Sequence, residues 1–457
     1  MPITEQFSDR PRILVVGGGY VGLYVAMKLQ KKVKDHGGIV TVVDPLPYMT
    51  YQPFLPEVAG GQIEPRHVVV SHRQHLKHAE LINGRVSAID HKNNKAVIVP
   101  VVGEPFELEY RDVVLAAGAV TRTFPIPGLA DEGIGLKSIE EAVALRNRIL
   151  ERIESASLMT DASERKRALS FVVVGGGFAG IETIAEIEDM ARHAAALNGR
   201  IGKDELRFVL VEAMGRIMPE VTEDQALWVV DHLRSRGIEV LLNTSLADAT
   251  EGKLALINMP DKSAAETFES DTLIWTAGVM ANPMVRSTDF PIEPRGRVRT
   301  GTDLRITGED GVAIEGAWAA GDVSAVPDVT GGLPDGTCVP NAQHAVRQAK
   351  LLAHNLYSTR YGVGQVKNYK HKNLGAVAGF GANKGVAKVM GVKLKGWPAW
   401  MAHRGYHGMA MPTFERKFRV LGDWMVAIFF TRDTLQLNNL ENPRSTFVEA
   451  ATPKPRA

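Results

Sequence analysis

Residues 12–22 read RILVVGGGYVG, and residues 169–180 read LSFVVVGGGFAG. In each, an apolar run of buried-strand character enters three glycines, and an apolar stretch at helical spacing follows. Strand, glycine turn and helix are the setting in which a G-x-G-x-x-G turn holds a dinucleotide. Gly17 and Gly175 permit the tight turn. Gly19 and Gly177 let the backbone approach a pyrophosphate, and Gly22 and Gly180 let each helix pack close to its strand. The helix start offers unpaired N–H groups and a positive dipole end to the phosphates. One such turn is weak evidence, because glycines also mark structural turns. Two, both in context, point to two dinucleotides held face to face.

The flanking segments repeat as well. IVTVVD (39–44) closes on Asp44, and LRFVLVE (206–212) closes on Glu212. A carboxylate at that strand end holds an adenosine ribose through its hydroxyls. Asp44 also fits a plain strand-end turn, since Pro45 and Pro47 follow it. The interval from Gly175 to Glu212 exceeds the usual spacing of about 20 residues. A helix from Phe178 to about Leu197 and the loop LNGRIGKDE take up the excess. DVVLAAGA (112–119) and DTLIWTAG (271–278) close the two units in parallel, a signal of internal duplication.

Between these landmarks, YQPFLPEVAGGQIEP (51–65) is rich in Gly and Pro and is expected to be largely loop. Helices are predicted over 138–155 and 222–236, a strand over 238–243, and ASERKR (162–167) as a polar linker. AWAAGDVSAVPD (317–328) is a strand running into a Gly-Asp turn. VPNAQHAVRQAKLLAHNLY (339–357) is a helix with Ala342, Ala345, Val346, Ala349, Leu352 and Ala353 on one face.

The 457 residues carry a net charge of +1 and one cysteine, Cys338. A single cysteine makes no internal disulfide, which fits a reducing compartment; as a lone thiol it reads as a small buried hydrophobe. No run of about 18 apolar residues is present, so no spanning helix is expected. The start, MPITEQFSDRPR, has no apolar core, which argues against a secretory signal; its acids argue against a mitochondrial presequence. His72, His75 and His78 lack supporting ligand spacing and read as a solvated basic segment, so no metal is expected. From Arg360 onward there are sixteen Lys and Arg against five Asp and Glu. A basic end on an acidic body suggests an anionic partner, a nucleic acid or a membrane surface. Within that end, Phe414, Phe418, Leu421, Met425, Ile428 and Phe429 fall on one helical stripe, with Arg416, Lys417, Arg419 and Asp423 largely off it. WPAW (397–400), Lys393, Lys395 and Arg404 lie upstream. The pattern describes a helix in a membrane interface, or equally a core or dimer helix. The charge favours the membrane, and no nucleic-acid module appears.

In order and spacing, GGGYVG, YQPFLPEVAGG, LAAGA, GGGFAGIE, VEAMGRIMP (211–219), WTAGV (275–279), AAGD (319–322) and NAQHAVRQ (341–348) resemble the type II NADH:quinone oxidoreductases. These are two-dinucleotide flavoproteins of the glutathione-reductase class, and the resemblance covers nearly the whole chain. It implies an α/β fold with two Rossmann-like domains and a C-terminal amphipathic membrane-docking region. The FAD-binding domain would span 1–160 and 289–365, the NADH-binding domain 165–288, and the docking region 366–457. Noncovalent FAD would meet Gly17, Gly19, Gly22, Asp44 and Asp322, with Gly118, Gly321, Ala342 and Gln343 among the cofactor contacts. NADH would meet Gly175, Gly177, Gly180, Glu212 and Gly278, and Glu212 would repel a 2′-phosphate. Glu182 sits where the family places a carboxylate near the nicotinamide; an N-terminal helix carboxylate is the other reading.

The family's quinone motif is an Ala-Gln pair followed one turn later by a Gln-Gln pair. Ala342 and Gln343 match, and Arg347-Gln348 replaces the second pair. Arg347 either stabilises a reduced anionic oxygen or is a solvated helix residue. Glu182, Gln343 and Arg347 are thus the catalytic candidates. One cysteine excludes the paired-thiol chemistry of disulfide reductases and sulfide:quinone oxidoreductases within one chain. The expected activity is non-pumping oxidation of NADH with reduction of a quinone, menaquinone or ubiquinone, by a monotopic protein on the cytoplasmic face, with a homodimer left open. The rivals are a soluble NAD(P)H-dependent flavin reductase and a non-catalytic nucleotide sensor.

Overall fold

The computed structural model describes residues 10–371, 375–389, 391–437 and 442–451. The N-terminal stretch 1–9, read above for targeting signals, and parts of the basic tail (372–374, 390, 438–441 and 452–457) lie outside the described residues. The chain divides into two compact units, each assembled from three segments. One is Met1–Tyr51, Val69–Arg122 and Gly278–Leu374; the other is Gln52–Val68, Thr123–Ala277 and Gly375–Ala457.

The first unit is built on an eight-stranded sheet in the order Arg305–Thr307, Ala313–Ala319, Asp112–Leu115, Arg12–Val16, Ile39–Asp44, Glu80–Asp90, Lys95–Pro100 and Phe106–Glu109. Its five central strands run parallel. RILVV is buried at all five positions, as a strand covered on both faces requires. The helix Tyr20–Asp35 follows the first glycine turn and packs against the helix Ala342–Tyr361. The latter starts three residues later than its periodicity suggests, because the Asn341 side chain caps it by accepting from the His344 N–H. Gly362, at φ +66°, ends it. Ala345, Ala349, Leu352 and Ala353 are buried, as the predicted face requires.

The second unit carries a five-stranded parallel sheet in the order Gly133–Ile134, Thr272–Trp275, Ser170–Val174, Arg207–Val211 and Ile238–Leu241. The helix Phe178–Asn198 follows the second glycine turn. Ile139–Ala156 begins at a capping box in which the Ser138 and Glu141 side chains each bond the other's backbone N–H. A three-stranded antiparallel sheet over 244–269 fills a stretch that showed no clear pattern.

Two expectations are corrected in this unit. YQPFLPEVAGG is not largely loop: a 3₁₀ turn Gln52–Phe54 leads into the short helix Leu55–Ala59, whose residues are all buried. Pro56 stands in the first turn, where its missing N–H costs no helical bond. ASERKR is not a linker but most of the helix Ala162–Ala168, capped by Asp161, whose carboxylate accepts from the Ser163 and Glu164 N–H groups. The C-terminal region contributes a small antiparallel sheet over 375–395 and the helices Trp397–Ala410, Phe414–Phe430 and Ser445–Ala451. It clusters with the segment that carries the second glycine turn. No helix among the described residues is long and apolar enough to cross a membrane.

Candidate functional site

The two glycine turns share their main features. Gly17 (φ +99°) and Gly175 (φ +117°) hold left-handed conformations. A Cβ at Gly17 would come within 2.6 Å of the Ala116 carbonyl oxygen, and one at Gly175 within 2.8 Å of the Thr276 backbone. A Cβ at Gly22 or Gly180 would overlap the carbonyl oxygen of Gly17 or Gly175. At Gly19 and Gly177 nothing lies within 4 Å of the added atom, and neither helix start receives a side-chain cap. Each turn thus offers uncapped N–H groups beside an opening that a side chain would fill. That cradle fits the pyrophosphate of a dinucleotide.

The strand-end carboxylates close these turns. Asp44 accepts from the Gly18 N–H at 2.6 Å and the Leu46 N–H at 2.7 Å. Glu212 accepts from the Gly176 N–H at 2.5 Å and the Met214 N–H at 2.7 Å. The strand-end-turn reading of Asp44 is therefore part of the geometry, and it leaves room for the other reading. A carboxylate offers about four lone-pair positions, so each retains capacity for a ribose hydroxyl. Burial raises the Asp44 carboxyl above its ordinary range, against the lowering pull of its backbone bonds.

His72 is a residue the sequence reading missed. It is 3% exposed, and its Nε2 donates to the Gly18 carbonyl at 2.8 Å. Burial lowers its pKa, against the raising pull of its bond to Gly18 and of Asp44. The solvated-segment reading is thus corrected at His72. Its ring occupies the space a Cβ at Gly18 would need, and no short-range spacing signals that contact.

Gly118 (φ +65°) and Gly278 (φ +102°) stand where the two parallel endings meet. Ala119–Thr121 and Val279–Ala281 pair as an antiparallel ribbon, with the Asn282 N–H donating to Gly118 and the Arg122 N–H to Gly278. Asp322 lies in the 3₁₀ turn Gly321–Val323. The Gly321 N–H donates to Gln348 Oε1 at 2.8 Å, so buried Gln348 fixes that turn. Ala342 and Gln343, both half-buried, open the following helix. Arg347 Nη1 donates to His371 Nδ1 at 3.0 Å, and the His371 ring stacks on His344 at 4.0 Å. Arg347 is thus half-buried and held by His371 rather than fully solvated.

Glu182 is nearly buried in the helix Phe178–Asn198, beyond its first turn. It accepts from the Gly379 N–H at 3.0 Å and lies 3.3 Å from His403 Nε2. Burial opposes a charge on His403, but Glu182, with Glu57 adding to it, outweighs burial and raises the His403 pKa. One turn on, Glu186 meets Arg432 at 2.7 Å. Burial pushes the Glu186 carboxyl up, and Arg432 pulls it back. Glu57 accepts from Trp424 Nε1 at 2.8 Å and lies 3.5 Å from Arg404, which also bonds Gln62. The i, i+4 spacing of Glu182 and Glu186 was visible in GIETIAEIED. Their partners stand more than 190 residues away and gave no local signal.

Residues 11–349 match the pyridine nucleotide-disulphide oxidoreductase family. The chain belongs to that family. Among its relatives is the type II NADH:quinone oxidoreductase of Mycobacterium tuberculosis, 27% identical over 443 residues, covering 94% of this chain and 90% of the relative. The demethylphylloquinone reductase of Synechocystis is 26% identical over 431 residues, covering 91% and 98%. In fold, the chain matches NDH2 from Plasmodium falciparum in complex with NADH, with a TM-score of 0.85 at 17% identity over 93% of this chain and all of the other.

This pyridine nucleotide-disulphide oxidoreductase has no second thiol to pair. Cys338 is buried, and burial pushes its thiol up to about 12. The basic C-terminal region also proves less free than its charge count suggests. Arg404 is not a surface cation but is buried beside Glu57, and Arg432 is held by Glu186 and Asp189. Lys393 pairs with Asp224 and Arg360 with Asp112. Part of the positive excess is thus matched within the molecule. The apolar stripe is a different matter. Phe414 and Phe429 are about three-quarters exposed, and Phe418, Leu421, Met425 and Ile428 are exposed too, while Val420 and Trp424 make the buried side of the same helix. The stripe is not core packing.

Proposed function

We infer that this chain holds FAD noncovalently at the first glycine turn and NADH at the second, and that it reduces a quinone with the electrons of NADH. The observation that carries this is the duplicated, carboxylate-closed cradle in a chain with a single buried thiol. With two nucleotide cradles and one thiol in the chain, no dithiol receives the electrons, which leave for a diffusible acceptor, a partner protein or oxygen. The relatives named as NADH:quinone oxidoreductases agree. Bound at its cradle, FAD supplies the two-electron exchange between nicotinamide and quinone.

The chain's own residues position and discriminate. Gly17, Gly19, Gly22, Asp44, Gly118, Gly321, Asp322, Ala342 and Gln343 are assigned to FAD; Gly175, Gly177, Gly180, Glu182, Glu212 and Gly278 to NADH. Glu212 keeps lone pairs for the ribose hydroxyls and repels a 2′-phosphate, favouring NADH over NADPH. Arg347, held by His371, directs its charge toward an acceptor oxygen that gains electrons, and Gln343, one turn earlier, orients it. Glu182 Oε1 stands 3.3 Å from His403 Nε2, an ion pair when the imidazole is protonated. The FAD-binding domain is assigned to 1–160 with 289–365 and the NADH-binding domain to 165–288, except that residues 52–68 and 123–160, with strand Gly133–Ile134, cluster with the second sheet and residues 278–288 with the first. Residues 366–457 are the docking region: the exposed stripe of Phe414–Phe430 would lie on the cytoplasmic face of a bilayer, from which a lipid-soluble quinone is drawn.

Anaerobic titration of the purified flavoprotein with NADH, followed by a panel of quinones, tests the reading. Stoichiometric bleaching by NADH and recovery on adding quinone are expected. Bleaching without recovery by any quinone would return the protein to the flavin reductases, and no bleaching to the nucleotide sensors.

A further inference from the structure

We propose that Asp328, Cys338 and His344 form a binding site for a single Zn²⁺ ion. A carboxylate oxygen, the thiol sulfur and an imidazole nitrogen of these residues lie within 4.8 Å of one another. Cys338 and His344 are buried and Asp328 is half-buried. Zinc–donor bonds of about 2.0–2.3 Å put tetrahedral donors roughly 3.3–3.8 Å apart, so closure needs a shift of about an ångström at the widest pair. One sulfur, one nitrogen and one oxygen donor suit Zn²⁺ and not Mg²⁺ or Ca²⁺, which take oxygen.

The three donors are held from separate sides. The Asp328 N–H donates to Gly336, and the Cys338 N–H to Val326, which ties the two ends of the 326–338 hairpin. Thr330 bonds Asp328 Oδ1 through both its N–H and its hydroxyl, leaving Oδ2. His344 stands in the first turn of the Asn341-capped helix, and the Tyr369 hydroxyl lies 2.9 Å from its Nδ1. Outer partners of this kind orient metal-bound imidazoles. A thiolate and a carboxylate around Zn²⁺ make a neutral complex, which a largely buried pocket accepts without an unpaired charge. Water completes the fourth position. The ion would tie the hairpin to the start of the helix Ala342–Tyr361.

The test uses the full chain with FAD bound, cleared of metal by chelator and titrated with Zn²⁺ by calorimetry. Bound zinc is then counted after gel filtration. One zinc per chain is expected for the wild type, with that site lost in Cys338→Ser and His344→Gln, and about 10-fold weaker binding in Tyr369→Phe. Cadmium in place of zinc should give a ¹¹³Cd resonance in the thiolate range that disappears in Cys338→Ser. Flavin content and melting without metal report whether the variants fold; if Cys338→Ser loses its flavin, Asp328→Asn decides in its place. A wild type that binds no stoichiometric zinc, or variants that bind it as the wild type does, would overturn the proposal.

Discussion

Gly177 and Gly180 stand three residues apart in one turn, and the structure predicts opposite outcomes when each becomes alanine. At Gly177 the backbone angles, φ −74° and ψ −179°, suit any residue, and a Cβ there meets nothing within 4 Å. Alanine is a poorer helix cap than glycine, but it restricts the unfolded chain; the two effects partly cancel, leaving stability within about 1 kcal/mol. The methyl group would instead stand where the pyrophosphate meets the helix N–H groups. Losing one or two charge-assisted hydrogen bonds costs about 1.5–3 kcal/mol, or roughly 10- to 100-fold in NADH affinity. At Gly180 the Cβ would overlap the Gly175 carbonyl oxygen and come within 2.7 Å of Thr276 Oγ1. Backbone cannot move aside there, and overpacking of this kind costs about 3 kcal/mol. Thermal melting and anaerobic NADH titration of the two variants separate the effects. Gly177→Ala should melt like the wild type and bind NADH weakly, whereas Gly180→Ala should melt early. If Gly177→Ala binds NADH normally, the second cradle does not hold the pyrophosphate.

Four further outcomes are expected. Glu212→Gln should narrow the preference for NADH over NADPH in kcat/KM; a wild type that already prefers NADPH would show that Glu212 has been misassigned. Gln343→Ala or Arg347→Ala should slow reoxidation of the flavin by quinone in stopped flow while reduction by NADH is nearly unchanged; if both steps fall together, these residues serve the FAD site instead. The raised His403 pKa stabilises the fold fully below the free-histidine value of about 6.5, and the gain fades as pH climbs through the higher folded value. Denaturant midpoints of wild type and His403→Gln should therefore lie further apart near pH 6 than near pH 9, and a constant gap would count against the Glu182–His403 pair. Leu421→Glu with Ile428→Glu should reduce co-sedimentation with anionic phospholipid vesicles without changing the melting temperature; unchanged co-sedimentation would remove the stripe from the docking surface.

What the sequence disclosed depends on how far each signal reaches along the chain. The glycine turns, their strands and their helices are local patterns, and Arg12–Val16, Tyr20–Asp35, Ser170–Val174 and Phe178–Asn198 stand where those patterns put them. The positions of Asp44 and Glu212 were legible, but their bonds to the Gly18 and Gly176 N–H groups were not, because those bonds exist only once each turn has closed. Residues 51–65 misled because Gly and Pro suggest loop, while burial of Phe54, Leu55 and Val58 overrides that local preference. The charge of the tail misled for the opposite reason. A count cannot see that Arg404 reaches Glu57, or Arg432 reaches Glu186, from more than 240 residues away.

The segmented make-up of the first unit bears on how the chain emerges from the ribosome. Strand Asp112–Leu115 is flanked on one side by Arg12–Val16 and on the other by Ala313–Ala319. The second neighbour is synthesised about 200 residues later, a delay of roughly 10–40 s at ordinary translation rates. Through that interval the first sheet has an open edge, the kind of surface on which strands from other chains add. The five strands of the second sheet all lie between Gly133 and Trp275, so that sheet has its full complement while the first is still waiting. A nascent chain halted near residue 300 would carry one finished sheet and one exposed edge, and in that state it would be a client for chaperones.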